Sequence, residues 1–154
     1  MENKIEKYIS QDIYNPTYLF HGSPYLLEKI IPKQSSDSNA NENNVAKAVF
    51  LFPSIIKASA YAFKDTIKKD SIDLNWNFQI SNKDEYPVMI MENVNVNRDI
   101  EGYIYVFHNE QHIKKDEDSL QYKAFNELIP IDVVRVKYKD FEEFYQVKNN
   151  NKLL

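Results

Sequence analysis

Apolar positions recur at helical spacing in four stretches of the chain. The pattern predicts a short helix over residues 3–9, a second between Pro24 and Pro32, and a third over about 54–68. Asp140 is expected to cap a last short helix. The apolar or small residues that define these four faces are Ile5, Tyr8 and Ile9; Leu26, Leu27, Ile30 and Ile31; Ile55, Ala58, Tyr61, Ala62 and Thr66; and Phe141, Phe144 and Tyr145.

Short apolar runs between these stretches predict strands, most of them in the second half of the chain. Residues 33–45 are almost wholly polar, so they are expected to form a mobile loop. The pattern therefore indicates a single α+β domain with its helices early and its strands late. The predicted strands are 18–20, 48–52, 74–80, 86–96, 102–107, 119–126 and 131–138.

Length and composition agree with one globular domain. The chain has 154 residues, of which 43% are hydrophobic and 27% are charged. We expect an N-terminal extension with a short helix over 1–17, the domain over 18–147 and a flexible tail over 148–154. No apolar run approaches the ~20 residues that cross a bilayer, and residues 1–10 lack a signal-peptide core. The sequence thus predicts a soluble, cytoplasmic protein that does not bind membranes.

Several kinds of chemistry are excluded by composition. Cysteine is absent, which excludes disulfides, thiolate metal sites and cysteine nucleophiles. Gly22 and Gly102 are the only glycines, so glycine-rich phosphate loops are excluded as well. The net charge is −4 and only Arg98 and Arg135 are arginines, which makes nucleic acid an unlikely partner. His108 and His112 lie four apart without an evident third ligand, so no metal site is predicted.

His21, Gly22 and Ser23 follow the first predicted strand and form the first candidate for a site. An imidazole can bond a hydroxyl, a glycine lets a ligand approach the backbone, and a serine hydroxyl can donate or accept. The alternative is a turn in which the histidine is bonded within the protein.

Tyr61 is the second candidate. It lies two turns into the helix that follows Pro53 and Ser54, and three small residues precede it. Those residues let the helix pack closely, so that Tyr61 can present its ring to a planar ligand. The alternative is an ordinary core aromatic.

Gln121 lies on the third candidate segment, a strand in which Gln121, Lys123 and Phe125 share one face. The alternative is a half-exposed strand of mixed polarity.

Together these three segments resemble the His-Tyr-Glu signature of the diphtheria-toxin-like, poly-ADP-ribose-polymerase branch of the ADP-ribosyltransferases. The resemblance covers residues 18–138, and residues 101–136 look like the second half of small bacterial and phage members. It implies a single-domain fold of two packed, small, antiparallel-rich sheets with a few flanking helices.

The resemblance also implies roles for individual residues around NAD+, which would be the substrate. His21 would bond a ribose hydroxyl, Gly22 would grip the nicotinamide carboxamide through its backbone with Ser23 beside it, and Tyr61 would stack on the nicotinamide ring. The family's catalytic glutamate corresponds to Gln121. A glutamine keeps a hydrogen bond to the ribose but supplies no negative charge to the cationic transition state.

Another carboxylate could replace the missing one, and Glu117, Asp118 and Glu127 flank the strand. Glu127 nominally shares the face of Gln121, but about 20 Å further along a regular strand.

The resemblance implies an NAD-dependent mono-ADP-ribosyltransferase that modifies an unknown protein or small-molecule acceptor, or that hydrolyses NAD+, with weak activity because of Gln121. The alternative is a catalytically silent module of the same fold that binds a nucleotide or a protein. RNA 2′-phosphotransferase is a third alternative, disfavoured because that activity needs more arginines than Arg98 and Arg135. The sequence indicates neither the acceptor nor the oligomeric state.

Overall fold

Two α-helices, nine strands and two 3-10 turns form the described part of the computed structural model, which is residues 4–32, 48–72, 75–81, 87–116 and 120–149. The helices are α1 (Glu6–Ile9) and α2 (Ile55–Asp70). The 3-10 turns are Tyr138–Asp140 and Glu142–Phe144. The strands are β1 (Tyr18–Ser23), β2 (Val49–Leu51), β3 (Asn77–Ser81), β4 (Val88–Glu92), β5 (Glu101–His108), β6 (Lys114–Lys115), β7 (Tyr122–Ala124), β8 (Asp132–Lys137) and β9 (Gln146–Asn149).

The strands form three small sheets with the orders β1-β5-β8, β2-β7-β6 and β3-β4-β9. The predicted α+β class is confirmed, whereas the expected number of two sheets is wrong. The third sheet is formed by β3 and β4, which pair antiparallel, and β9 joins it after the 3-10 turns by pairing in parallel with β4, with Val88 opposite Gln146. The other strand pairs are antiparallel.

A single backbone bridge joins the first two sheets. The N–H and C=O groups of Phe20 and Phe52 exchange two hydrogen bonds, each 2.8 Å long. Within the described ranges, no further residue pair of β1 and β2 continues this ladder. From Phe20 toward Gly22 the two backbones are not hydrogen-bonded to each other, and we call this stretch without a ladder the β1–β2 gap.

Helix α2 packs on β1 and β5 and supplies much of the core. It begins where expected, because the Ser54 side chain accepts a hydrogen bond of 3.2 Å from the Lys57 N–H. It ends at Asp70, and the hydroxyl of the capping residue Ser71 donates to the carbonyl of Ile67 over 2.7 Å. Its fully buried residues include Ala58, Ala60, Ala62, Phe63 and Ile67.

Both glycines lie beneath this helix. A Cβ built on Gly22 would lie 2.0 Å from the carbonyl oxygen of Ala58 and 2.9 Å from the nitrogen of Ala62. A Cβ on Gly102 would lie 2.8 Å from the Ala62 Cβ. The close contact between α2 and the sheet thus requires glycine at both positions.

The predicted N-terminal helix is confirmed over Glu6–Ile9, and it is anchored to the sheet. Tyr8 is buried and donates its hydroxyl proton to the Asp132 carboxylate over 2.6 Å. Its ring makes edge contacts at 5.4 Å with both Tyr18 and Phe20. Burial, followed by the bond to Asp132, raises the pKa of the Tyr8 hydroxyl.

The predicted helix between Pro24 and Pro32 is wrong. The chain there is irregular and its backbone bonds to distant residues: the N–H of Leu27 donates to the Tyr105 hydroxyl over 2.6 Å. Ile30 and Leu128 exchange two backbone bonds of 2.9 and 2.8 Å. These long-range partners satisfy backbone groups that a helix would pair internally.

The helix expected after Asp140 is also wrong, since that region forms the two 3-10 turns. The Asp140 carboxylate accepts from the N–H of Lys137, and so it closes the first turn instead of capping a helix. The strand expected over 119–126 is reduced to β7. The loop expected over 33–45 lies outside the described residues, as do residues 150–154 of the expected tail.

Candidate functional site

His21 lies at the edge of the β1–β2 gap. Its Nδ1 is 2.9 Å from the carbonyl oxygen of Phe50 in β2. Because a carbonyl oxygen only accepts, Nδ1 is the donor and carries a proton; when the ring is neutral, Nε2 is the acceptor. The ring is half-buried and lies 6.5 Å from that of Tyr105, so its orientation is fixed by the protein.

The backbone of Gly22 also points into the gap. Backbone groups of residues two apart in a strand point to the same side. Since the N–H and C=O of Phe20 bond to Phe52, those of Gly22 point toward β2 as well. Gly22 therefore contacts α2 with its Cα and offers one donor and one acceptor to the gap.

Ser23 turns inward. It is buried, and its Oγ accepts a hydrogen bond of 3.1 Å from the N–H of Tyr25. This contact shapes the chain as it leaves β1.

Tyr61 is half-buried on α2 and stacks on Phe52. The two ring centroids are 5.1 Å apart and the planes are inclined by 10°. The Lys64 ammonium lies 5.8 Å from the centre of the Tyr61 ring. Phe52 covers one face of Tyr61, so a planar ligand would have to use the opposite face.

Gln121 immediately precedes β7 and belongs to a polar cluster with Asp116 and Lys123. Its side-chain Nε2 donates to Asp116 Oδ2 over 3.2 Å. Its backbone carbonyl oxygen accepts from the backbone N–H of Asp116 over 2.9 Å. Lys123 Nζ lies 3.4 Å from Asp116 Oδ1 and 5.8 Å from the centre of the Phe50 ring. Lys123 is only 5% exposed although it carries an ammonium group.

The three predicted segments all meet at β2 and the residue that follows it. His21 bonds to the Phe50 carbonyl, and Tyr61 stacks on Phe52. The strand that follows Gln121 pairs with β2, with Lys123 opposite Phe50. Residues about 30 to 100 positions apart in the chain thus become neighbours of one short strand.

The sequence interpretation missed Asp116. Lys114 and Lys115 are exposed, and they form β6, which pairs with β7. A hairpin at this place puts residues 116 and 121 opposite each other. Asp116 could therefore have been found from the pairing of two short segments across a polar loop, but not from any motif.

The other carboxylates considered for the site lie elsewhere or outside the described residues. Glu127 forms an exposed ion pair of 3.2 Å with Lys29. Glu117 and Asp118 fall outside the described ranges.

The two remaining histidines contact other side chains. His108 stacks on Tyr18 with ring centroids 5.7 Å apart, and His112 Nδ1 lies 3.3 Å from Glu110 Oε2. Over the part of the chain that the structure describes, no group of three or more histidines and acidic residues is placed to hold a metal ion.

Both arginines are paired with glutamates at the surface. Arg98 donates to Glu142 and Arg135 donates to Glu101. Neither helix in the described ranges combines the length and the apolar character that a membrane crossing requires.

Comparisons with known proteins give no relative from which a role for the site could be taken. No protein-family model matches the chain, and searches of curated proteins and of solved structures found no match to it.

Proposed function

We propose that this protein binds NAD+ in the β1–β2 gap as an ADP-ribosyltransferase-like protein. It transfers ADP-ribose to a protein or small-molecule acceptor, or hydrolyses NAD+, and its turnover is slow because glutamine stands at position 121. NAD+ supplies the bond between ribose and nicotinamide that would be cleaved.

The observation that carries this proposal is the set of polar groups along the gap. Gly22 offers a backbone N–H and C=O side by side, which is the complement of a carboxamide. Next to it, the His21 ring is held through Nδ1, so that its acceptor nitrogen Nε2 is fixed in direction. An acceptor nitrogen in a fixed ring suits a ribose hydroxyl.

Tyr61 adds an aromatic surface. Its ring is half-buried and is held parallel to Phe52, so a ligand that stacks on it meets a surface that is already ordered.

Gln121 limits the chemistry. Its amide can bond a hydroxyl, but it lacks the negative charge that would stabilise a developing cation. Loss of such a group costs on the order of 10²-fold in rate. Asp116, whose carboxylate bonds to Gln121, is paired with Lys123, so its charge is largely compensated.

Calorimetric titration of NAD+ into the protein tests binding. We expect a dissociation constant below about 1 mM. His21→Asn keeps a donor near the position of Nδ1 and removes Nε2, so it should abolish binding while the protein stays folded. His112→Asn is the matched control, because His112 lies on the exposed surface. Unchanged NAD+ affinity of H21N would contradict the assigned role of His21.

Release of nicotinamide tests the reaction. Gln121→Glu restores a carboxylate and should raise the rate on the order of 10²-fold, whereas Gln111→Glu, at an exposed position, should not. If Q121E binds NAD+ and still releases no nicotinamide, the protein is not a transferase.

A silent binding module on the same fold is the second candidate. The residue at the glutamate position favours it, because Gln121 carries an uncharged amide whose NH2 group is already bonded to Asp116 within the protein. Binding of NAD+ without nicotinamide release by either protein would establish this role.

The pairing of both arginines speaks against a phosphotransferase. Each contacts a glutamate, and neither belongs to the cluster around the gap. Removal of a 2′-phosphate from an oligonucleotide in the presence of NAD+ would overturn this ranking.

A further inference from the structure

Two short segments, 26–31 and 125–131, hold a concentration of exposed apolar side chains. Of the eleven large apolar residues that are exposed in the described part of the chain, six lie in these two segments. The six are Leu26, Leu27, Ile31, Phe125, Ile129 and Ile131, with exposed fractions from 38% to 77%. Single apolar residues scattered over a surface need no explanation, whereas a grouped set marks an interaction surface.

The backbone bridge between Ile30 and Leu128 brings the two segments side by side. The side chains of this antiparallel pair are both buried in the same apolar cluster. Residues on either side of an extended pair point the opposite way, so positions 29, 31, 127 and 129 face outward. We call these four residues, Lys29, Ile31, Glu127 and Ile129, the bridge face.

The bridge face carries one positive and one negative charge. The Lys29 ammonium lies 3.2 Å from the Glu127 carboxylate, and both side chains are half-exposed. The antiparallel register puts residue 29 opposite 129 and residue 31 opposite 127, so each charge has an isoleucine across from it.

This arrangement is its own electrostatic complement. A two-fold axis through the bridge face brings the ammonium of one copy to the carboxylate of the other, while isoleucines meet between them. Nucleic acid or an anionic membrane would instead select an excess of positive charge, which the bridge face lacks. The charges therefore fit a second copy of this chain better than a polyanion.

The apolar area is also sufficient for a stable contact. At these exposed fractions the six side chains present on the order of 700 Å², and one partner contributes about 600–1,000 Å² to an interface of standard size. Association would remove this surface from water, which is the main favourable term in most protein assembly.

We propose that the bridge face and the apolar residues beside it bind a second copy of the chain, forming a two-fold symmetric homodimer. Lys29 of one copy meets Glu127 of the other, and Ile31 and Ile129 lie at the centre of the contact. The dimer does not require NAD+, so this inference is independent of the proposed function.

Sedimentation velocity over a range of protein concentrations measures the assembly. We expect the mass to rise from one chain to two, with a dissociation constant below about 100 μM, since interfaces of this size reach at least micromolar affinity. Ile129→Lys puts a charge at the centre of the contact and should weaken the dimer at least about tenfold. Ile72→Lys is the matched control, because Ile72 is 73% exposed but lies after α2, outside both segments.

Mixing two charge variants tests the symmetry of the contact. K29E has two negative charges on the bridge face and E127K has two positive ones, so each variant alone should dimerise more weakly than wild type. An equimolar mixture should form a heterodimer at least as tight as the wild-type dimer, because every charge then meets its opposite across the contact. Mixing cannot restore the ion pair within either chain, so recovery must come from the contact between chains.

Three results would overturn the inference. The first is a wild type that stays monomeric up to about 1 mM, where even weak association is detectable; if it also pellets with phosphatidylglycerol vesicles, the face binds membranes instead. The second is a dimer that I129K and I72K weaken equally, which would place the contact elsewhere. The third is a mixture of K29E and E127K that is no more dimeric than the separate variants. Circular dichroism of each variant, at exposed positions, confirms that it is folded.

Discussion

Replacing Gly22 by alanine tests how closely α2 lies on β1. The new Cβ would lie 2.0 Å from the carbonyl oxygen of Ala58 and 2.9 Å from the nitrogen of Ala62. Both atoms belong to the backbone of α2, so the clash cannot be relieved by moving a side chain. The helix must retreat by about 1 Å before the shorter contact becomes tolerable.

That retreat loosens a well-packed interface, because α2 buries Phe63 and Ile67 completely. Overpacking of a core costs about 1–3 kcal/mol, and the backbone clash places G22A at the upper end, about 3 kcal/mol. For a chain of this size each kcal/mol lowers Tm by about 2–4 °C, so a fall of about 6–12 °C is expected.

Urea and thermal unfolding followed by circular dichroism measure this difference. Gly102→Ala is the graded comparison, since its nearest contact is the Ala62 Cβ at 2.8 Å, and it should cost less, about 1–2 kcal/mol. A G22A protein within about 0.5 kcal/mol of wild type would refute the close packing. So would a larger loss for G102A than for G22A.

Three further changes test local contacts. Ser54→Ala removes the cap of α2 and should cost about 1 kcal/mol in urea unfolding. Tyr105→Phe removes the hydroxyl that accepts from the Leu27 N–H, and should cost about 1 kcal/mol and speed hydrogen exchange of that amide. Hydrogen bonding from Arg98 lowers the pKa of Glu142, so their pair stabilises the fold above the unfolded-state pKa and is lost as pH falls through the folded-state pKa. Arg98→Gln should return the pKa of Glu142 toward its ordinary value in an NMR titration. An unchanged unfolding curve for S54A, unchanged exchange of the Leu27 amide in Y105F, or an unchanged titration of Glu142 in R98Q would contradict the corresponding contact.

The elements that were predicted well are those determined by the local sequence pattern. Helix α2 has a serine cap and a face of small and apolar residues, and it forms over Ile55–Asp70, close to its predicted bounds. Strands β5 and β8 also lie near their predicted positions. The pattern of β8 alternates between buried and more exposed residues, whereas β5 contains an apolar run of four consecutive buried residues in the middle strand of its sheet.

The elements missed are those decided by distant partners. Ile30 falls on an apolar helical face in the sequence, yet it pairs with Leu128, nearly a hundred residues later. Strand β9 was missed because it is short and pairs in parallel with β4, a contact that no local pattern encodes. Asp116 joins the candidate site only through the pairing of β6 with β7.

Gly22 has two roles to separate: it is required for packing against α2, and it also belongs to the proposed ligand-binding motif. Its Cα faces α2, where any side chain would clash, while its N–H and C=O point into the β1–β2 gap. A glycine is therefore required here by packing alone, whether or not a ligand binds, and loss of binding in G22A would not identify a ligand contact. His21 and Gln121 separate the two roles better. His21→Asn keeps a donor for the Phe50 carbonyl and removes Nε2, while Gln121→Glu changes the charge at position 121 at nearly constant volume, so each changes what the proposed site would offer to NAD+.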